Sequence, residues 1–469
     1  MNIQIYASAL CCLLAANIAW AGERAAEKDA PLPPDLGTRQ AGDDWPVFLG
    51  PEGDSRSRER GLRTDWNEHP PAIVWQMPID TGYAMPAISR GRLFQFSRAG
   101  NVARLECLTS ETGKPLWKFE YPTTYEDLFG YDNGPRCAPV VDGPRVYIFG
   151  PEGTLHCLRA SDGQLLWKVD TAAKFHVVPN FFGVGSTPAL FDDLLIANIG
   201  GSPAADQAVP PGQLDQVHGD GTGVVAFDKC TGEVRYALSN ELASYASPRL
   251  ATIAGRPWCF VFARGGLLGF DPATGKLDFH FPWRAPKLES VNASTPVVAG
   301  DRVFISETYG PGSALLKVRP GGYDVVWSDA EQRRDKRMQT HWNTPVYDAG
   351  YLYGSSGRHT KNAELRCIEL ASGKVQWSAP GLSRSSLLYV DGHLVCLTEY
   401  GELLLLRATP EKFDVVGQLV LKDAGGKGDE DRLLKYPAWA APILSHGLLY
   451  VRGHHRLVCL EAIPPKSPK

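Results

Sequence analysis

Leu105-Glu-Cys107-Leu-Thr-Ser-Glu-Thr-Gly113-Lys-Pro-Leu-Trp117 is the stretch that decides the fold. It reads as an apolar strand, a tight turn whose Gly supplies a positive φ, and a second strand ending in a large aromatic ring. The same sentence returns as Leu155-His-Cys157-Leu-Arg-Ala-Ser-Asp-Gly163-Gln-Leu-Leu-Trp167. Looser copies are Val225 to Tyr236 around Gly232, Leu268 to Phe279 around Gly275, Leu316 to Trp327, and Arg366 to Trp377 around Gly373. A degenerate copy runs from Leu404 to Val416. Successive closing aromatics, Trp117 to Trp377, stand 50, 69, 43, 48 and 50 residues apart.

A second hairpin interleaves with the first. It is a Pro, an apolar strand, a Gly/Asp turn and another apolar strand, as in Ala138-Pro139-Val-Val-Asp-Gly-Pro-Arg-Val146 and Thr295-Pro296-Val-Val-Ala-Gly-Asp-Arg-Val303. The Pro recurs at Pro86, Pro139, Pro188, Pro248, Pro296, Pro345 and Pro442, and Ser386-Leu387 stands in for one copy. Two hairpins per period make four strands per unit, and these copies make eight units. Such units at this spacing are propeller blades. Helical solenoids are excluded because no 3.6-residue period runs between the turns. The expected fold is all-β: an eight-bladed β-propeller of four-stranded antiparallel blades over 71–462. The last unit, Ala441 to Leu460, is one strand short. Pro71-Ala-Ile-Val-Trp75 carries the terminal Trp of a missing outer strand, so it is expected to close the ring and hide both edges.

Composition agrees. The chain of 469 residues has 48 Gly, 36 Pro and 12 Trp, as a turn-rich β-protein needs. Its net charge of -4, with 48 basic against 52 acidic residues, excludes a nucleic-acid-binding arm. Residues 1–21 are uncharged, mostly apolar and end Ala19-Trp20-Ala21, the pattern of a signal peptide. The alternative is an uncleaved anchor, since the run approaches the length of a span. The protein is therefore expected to be exported, periplasmic or secreted, and a monomer. Residues 22–43, with Pro31, Pro33 and Pro34, read as a flexible linker, 44–70 as a lead-in and 463–469 as a tail. Export invites disulfides. However, Cys107, Cys157, Cys367 and Cys459 occupy matching strand positions on different units, too far apart to bridge, and are expected to be buried thiols. The pairing state of Cys137, Cys230, Cys259 and Cys396 stays open.

The Asp-x-x-Thr-Gly-x-x-x-Trp type of turn resembles the repeat of the pyrroloquinoline-quinone (PQQ) propeller family, over nearly the whole stretch from Trp75 to Leu460. Asp44-Trp45-Pro46-Val47-Phe48-Leu49-Gly50-Pro51 is similar to the lead-in of many exported bacterial members. The resemblance implies one of two functions. One is a non-catalytic scaffold that binds a small molecule or a protein, as the propeller lipoprotein of the outer-membrane β-barrel assembly machinery does. The other is a quinoprotein dehydrogenase that oxidises an alcohol or sugar with PQQ and calcium. Those dehydrogenases carry adjacent cysteines over the cofactor, and this chain has such a pair only at Cys11-Cys12. The binding scaffold is the favoured reading; the cofactor is left unassigned, with PQQ and calcium as the alternative.

Topology locates a site. If each blade starts at the axis, the blade-to-blade connections and the links between second and third strands share one face, and the Gly turns lie on the other. The long segments all fall on the first face. Residues just before each inner strand should ring the channel mouth: Asp132, Asn133, Arg136, Glu289, Asn292, His341, Trp342, Arg384 and Trp439, with Tyr83, Tyr245 and Tyr436. Asp132, Glu289 and Asn292 are oxygen donors suited to calcium. Trp342 and Trp439 could floor a flat ligand, and Arg136 and Arg384 could hold a carboxylate. Replacing Glu289 or Arg384 is expected to weaken binding while leaving stability nearly unchanged. His454-His455 is an accessible pair at a turn, but adjacent side chains point apart on a strand, so the pair is not expected to bind a metal.

Overall fold

A computed structural model describes residues 31–423, 425–426 and 428–465, so the signal-peptide reading of 1–21 lies outside the described residues. Those residues form eight four-stranded antiparallel sheets arranged as the blades of a propeller. In chain order, blade 1 spans 87–122, blade 2 140–170, blade 3 189–238, blade 4 249–282, blade 5 297–328, blade 6 346–380 and blade 7 385–420. Blade 8 takes its three inner strands from Ile443–Ser445, Leu448–Arg452 and Arg456–Glu461 and its outer strand from Ala72–Pro78. Trp75 pairs with Cys459 in that closure, as the one-strand deficit requires.

The repeat sentence has one structural meaning in every good copy. Trp117 lies opposite Cys107, Trp167 opposite Cys157 and Trp377 opposite Cys367, each followed by a register shift. The four matched cysteines therefore share one strand position, and all eight cysteines of the described chain are buried and none is in a disulfide. The ring beside each Cys does not pack within its own blade alone. Trp75 covers Gly113 of blade 1, Trp117 covers Gly163 of blade 2, Trp167 covers Gly232 of blade 3 and Tyr236 covers Gly275 of blade 4. A Cβ on Gly163 would sit 2.5 Å from the Trp117 ring. Each ring also donates to a turn carbonyl of the next blade: Trp75 to Ser110 at 2.9 Å, Trp117 to Ala160 at 3.2 Å, Trp167 to Lys229 at 3.2 Å and the Tyr236 hydroxyl to Pro272 at 2.6 Å. Glycine is thus needed twice over, for a positive φ and for the close approach of the neighbouring ring.

The N-terminal segments do more than lead in. Trp45 exchanges two 2.9 Å backbone bonds with Ile88 of blade 1, and Pro46 accepts from the Val141 amide of blade 2. Ser55 and Ser57 bond Tyr389 of blade 7, and Arg56 reaches Asp348 of blade 6 at 2.9 Å. Glu59 accepts from the His446 and Gly447 amides of blade 8. All these partners lie at or beside the turn ends of the short inner strands, so 44–60 crosses the channel on the Gly-turn face. Trp66 then fills the seam beside blade 7, whose outer strand ends in no aromatic ring; a Cβ on Gly417 would lie 2.7 Å from it. Trp66 is 1% exposed and belongs to the same apolar cluster as Leu405, Leu421 and Leu457.

The described residues 31–43 lie along the molecule. Arg90 and Arg92 of blade 1 donate to the Pro33 and Pro34 carbonyls at 2.7 and 2.6 Å, and Glu111 accepts from the Thr38 and Arg39 amides. The segment has too little apolar content to order itself, but blade 1 supplies charged partners for its backbone.

Candidate functional site

Four buried carboxylates shape the loop-rich face by holding its loops. Asp127 pairs with Arg136 and accepts from the Phe129 amide at 2.9 Å, so the loop bearing Phe129 and Tyr131 is fixed to blade 2. Glu307 accepts from the Tyr309, Gly310 and Gly312 amides at 2.6, 2.8 and 3.1 Å. Burial still leaves its carboxyl above the ordinary range. Glu399 receives Arg384 at 2.6 and 3.0 Å and the Trp439 ring N–H at 3.1 Å. Burial would raise its pKa, but the Arg384 and Trp439 hydrogen bonds hold it below the ordinary carboxylate value. Asp132 caps the Gly82 and Gly134 amides at 3.1 and 2.6 Å and meets His454 at 3.2 Å.

Between these anchored loops lies a cavity of about 680 Å³. Its rim is a belt of aromatic contacts: Tyr245 to Phe182 at 5.5 Å between centroids, Phe182 to Tyr131 at 5.9 Å and Tyr131 to Trp439 at 6.4 Å. The belt continues from Trp439 to Trp342 and from Trp342 to His341 at 4.4 Å each, then to Tyr309 at 5.7 Å. Between Tyr309 and Tyr245 the connector from blade 4 to blade 5 contributes Lys287, Glu289, Val291 and Ala293 to the lining. Phe48, Leu49 and Ser55 of the lead-in also line the cavity. The segment crossing the Gly-turn end of the channel therefore serves as the cavity's floor, and the mouth opens on the loop-rich face.

Of the residues proposed from sequence, Arg136, Glu289, His341, Trp342, Arg384 and Trp439 line this cavity, and Asp132, Asn133 and Asn292 do not. Asp132 is spent on amides and His454. The Asn133 side chain accepts from the Asp127 amide at 2.7 Å. Asn292 is 1% exposed and donates to the Ala263, Arg264 and Trp283 carbonyls. The three calcium-donor candidates are thus separated, and among the described residues no group of three His, Cys, Asp or Glu side chains is placed to hold a metal. The residues present do not fit a calcium ion held by Asp132, Glu289 and Asn292. The His454 and His455 rings lie 3.8 Å apart, not pointing away, because the pair sits on a turn before the strand Arg456–Glu461.

His341 meets the Tyr309 hydroxyl at 3.1 Å through Nε2. Burial first, then the charges of Arg384 and Arg358, push the imidazole well below its usual value, so it is neutral at pH 7. Burial pushes the Tyr309 phenol up to about 12. The cavity also holds residues that sequence reasoning missed: Tyr309, Arg358 and His359 on links between second and third strands, Lys287, the Phe181-Phe182 pair and the lead-in floor. Links between second and third strands share the loop-rich face, so Tyr309 and Arg358 follow from the same topology; nothing in the lead-in sequence marks it as a floor.

Comparison with known proteins bears on the fold. The family model described as outer membrane protein assembly factor BamB matches residues 102–379, more than half of the chain. The chain belongs to the PQQ-repeat β-propeller family. No curated protein matches the chain in sequence. Among solved structures, BamB from Moraxella catarrhalis superposes with a TM-score of 0.55 at 11% identity, covering 83% of this chain and 97% of that one. The quinohemoprotein alcohol dehydrogenase from Comamonas testosteroni gives 0.63 at 12% identity, covering 91% and 82%. The computationally designed Ika8 protein gives 0.50 at 11%, covering 83% and 99%. At these identities the likeness establishes the fold alone, which an assembly factor, an oxidoreductase and a designed protein share. No described helix is long and apolar enough to cross a membrane.

Proposed function

We propose that this protein is an exported, monomeric binding propeller that takes a small-molecule ligand into the channel from its loop-rich face. The observation that carries this reading is the cavity of about 680 Å³, floored by the lead-in and walled by aromatic rings with a few charged groups. That volume and lining fall in the range of small-molecule sites. The buried acids support a binding role over a catalytic one. Asp127, Glu307 and Glu399 point away into loop amides and arginines, and His341 is held neutral beside a phenol. None of the three carboxylates lines the cavity.

The dehydrogenase reading needs oxygen donors around a calcium ion, and the candidates for that role lie apart. The test is titration of the purified mature protein with PQQ and calcium by calorimetry, followed by dye reduction with a panel of alcohols and sugars. The expected result is no calcium-dependent uptake of PQQ and no dye reduction. Stoichiometric PQQ binding with turnover would overturn the binding-propeller reading. Light scattering on the same sample reports whether the protein is a monomer.

A further inference from the structure

We infer that the cavity's ligand is a hydroxylated ring bearing one carboxylate, the chemistry of a uronic acid, and that it is recognised by Arg358, Lys287 and Glu289. This inference rests on the binding-propeller reading and deepens it. Four cations line the cavity: Arg136, Lys287, Arg358 and Arg384. Two are already neutralised, Arg136 by Asp127 and Arg384 by Glu399, and both partner carboxylates are fully buried behind the wall. Arg358 and Lys287 have no acidic partner among the described residues. The Arg358 guanidinium instead lies 4.5 Å over the Tyr309 ring, and Lys287 is exposed. Arg358 therefore keeps its donor fork for a carboxylate from outside.

The remaining charge sets how many negative groups the ligand carries. Glu289 also lines the cavity, two residues from Lys287, and makes no ion pair among the described residues. Two uncompensated cations against one uncompensated anion suit a monoanion; a phosphate dianion would meet Glu289 with its charge unmatched. A carboxylate that faces a ligand is satisfied by O–H donors, so Glu289 selects a hydroxylated partner. The aromatic belt supplies the third requirement, flat apolar faces against which a ring can lie. The belt lacks a ring only at the connector that carries Lys287 and Glu289, so the polar edge of a ring stacked on the belt would face them.

The mouth says how far the ligand extends. Phe129 and Tyr131 are 53% and 59% exposed, and Tyr400 and Tyr436, whose rings lie 5.2 Å apart, are 49% and 44% exposed. Rings that continue outward from the cavity suit a chain of sugar units entering by its end. The bound species is thus a uronate at the end of an oligosaccharide, held more tightly than the free acid.

Calorimetry on the mature protein tests this with glucuronate, glucuronosyl-cellobiose (one uronate ending two neutral glucose units), cellotriose and benzoate. The expected order is glucuronosyl-cellobiose first, glucuronate about tenfold weaker for loss of the rim contacts, and cellotriose and benzoate weaker still. Arg358→Gln and Lys287→Gln should each weaken glucuronosyl-cellobiose by about tenfold, the worth of one charge-assisted contact, without moving the melting temperature. Lys287 is exposed, so its variant tests the idea even if Arg358→Gln perturbs the Tyr309 loop. Equal binding of cellotriose and glucuronosyl-cellobiose, or variants that bind normally, would overturn the carboxylate assignment. Benzoate binding as tightly as glucuronate would overturn the hydroxylated-ring assignment. If no uronate binds, the inference is wrong, and the fate of the binding-propeller reading is then decided by the separate PQQ-and-calcium titration.

Discussion

The two faces of the propeller are built from the same eight blades by opposite means. On the Gly-turn face each good copy repeats its neighbour: a ring from one blade caps a glycine of the next and donates to a turn carbonyl. On the loop face almost nothing repeats. The connectors differ in length and in their aromatic groups, and the four acids that anchor this face sit on only some of its segments: Asp127 and Asp132 before blade 2, Glu307 in blade 5 and Glu399 in blade 7. Repetition serves stacking, because every seam poses the same packing problem. A binding cavity needs different groups at each position around its wall, so it must be drawn from the segments that escaped the repeat.

The sharpest test of this contrast is the seam where repetition fails. Trp66, from outside the repeat, replaces the missing ring beside blade 7. Trp66→Ala should cost about 4 kcal/mol in urea unfolding, as removal of a buried Trp does. A loss below about 1 kcal/mol would show that the lead-in decorates the ring without sealing it. Arg384 comes next and marks an exception on the loop face. Although it lines the cavity, its partner Glu399 is fully buried, so Arg384→Ala should cost about 3 kcal/mol by leaving that charge unpaired. This replaces the sequence-based expectation of unchanged stability. Adding Glu399→Gln should recover part of the loss.

The Gly-turn face contains its own internal control. Gly163 has φ of +76° under the Trp117 ring, while Gly392 has φ of +77° with nothing near an added Cβ. Gly392→Ala should cost about 1 kcal/mol for backbone strain, and Gly163→Ala about 2 kcal/mol more for the displaced ring. Equal effects would refute the capping role of the ring.

A smaller, pH-dependent effect is expected where the lead-in is latched to blade 8. His446 Nε2 meets Asp44 at 3.1 Å, and this hydrogen bond raises the imidazole above its usual value. Burial would raise Asp44, but His446, the Arg90 amide and Ser89 together hold it below its usual value. The His446 contribution is present below about pH 6.5 and fades as pH rises through its folded value. The Asp44 contribution is present above about pH 4 and fades on acidification. Glu59, raised foremost by burial, also faces this turn through the His446 and Gly447 amides and is unchanged by the test. The stability gap between the wild type and His446→Gln should therefore be greatest between about pH 4 and 6.5, at about 1 kcal/mol or less, and should shrink toward pH 8.5. A gap that grows with pH would remove the latch. Smallest of all, Glu289→Ala should leave stability within about 0.5 kcal/mol, as befits an exposed loop-face side chain.

The sequence was most legible where a local rule repeats. The Cys-opposite-Trp position, the Gly turns and the closing strand each follow from pattern alone, because strand pairing is a local and periodic problem. The cavity was half legible. Glu289, His341 and Trp439 could be placed at its wall by counting from the inner strands. Asp132 and Asn292 have the same polar chemistry and the same sequence position, yet they are consumed by loop amides and carbonyls. Which acid faces inward and which holds a loop depends on a turn of a few residues, and no periodicity records it. The lead-in floor was the least legible part. Its contacts with Ile88, Val141 and Tyr389 are backbone bonds, which any sequence can make.

Ring closure has a consequence for how the molecule is made. Ala72–Pro78 is synthesised early, and its partner Arg456–Glu461 emerges about 380 residues later. The entropy of joining ends so distant grows only logarithmically, so the thermodynamic penalty is modest, but such a non-local pairing forms late. Until then the first strand waits with a bare edge, and the lead-in waits with it, since Glu59 needs the amides of His446 and Gly447. A chain truncated before residue 443 would lack the partners of both segments at once. Once the last strand arrives, both ends of the propeller are fastened to the same blade, and neither offers an unravelling point to a protease.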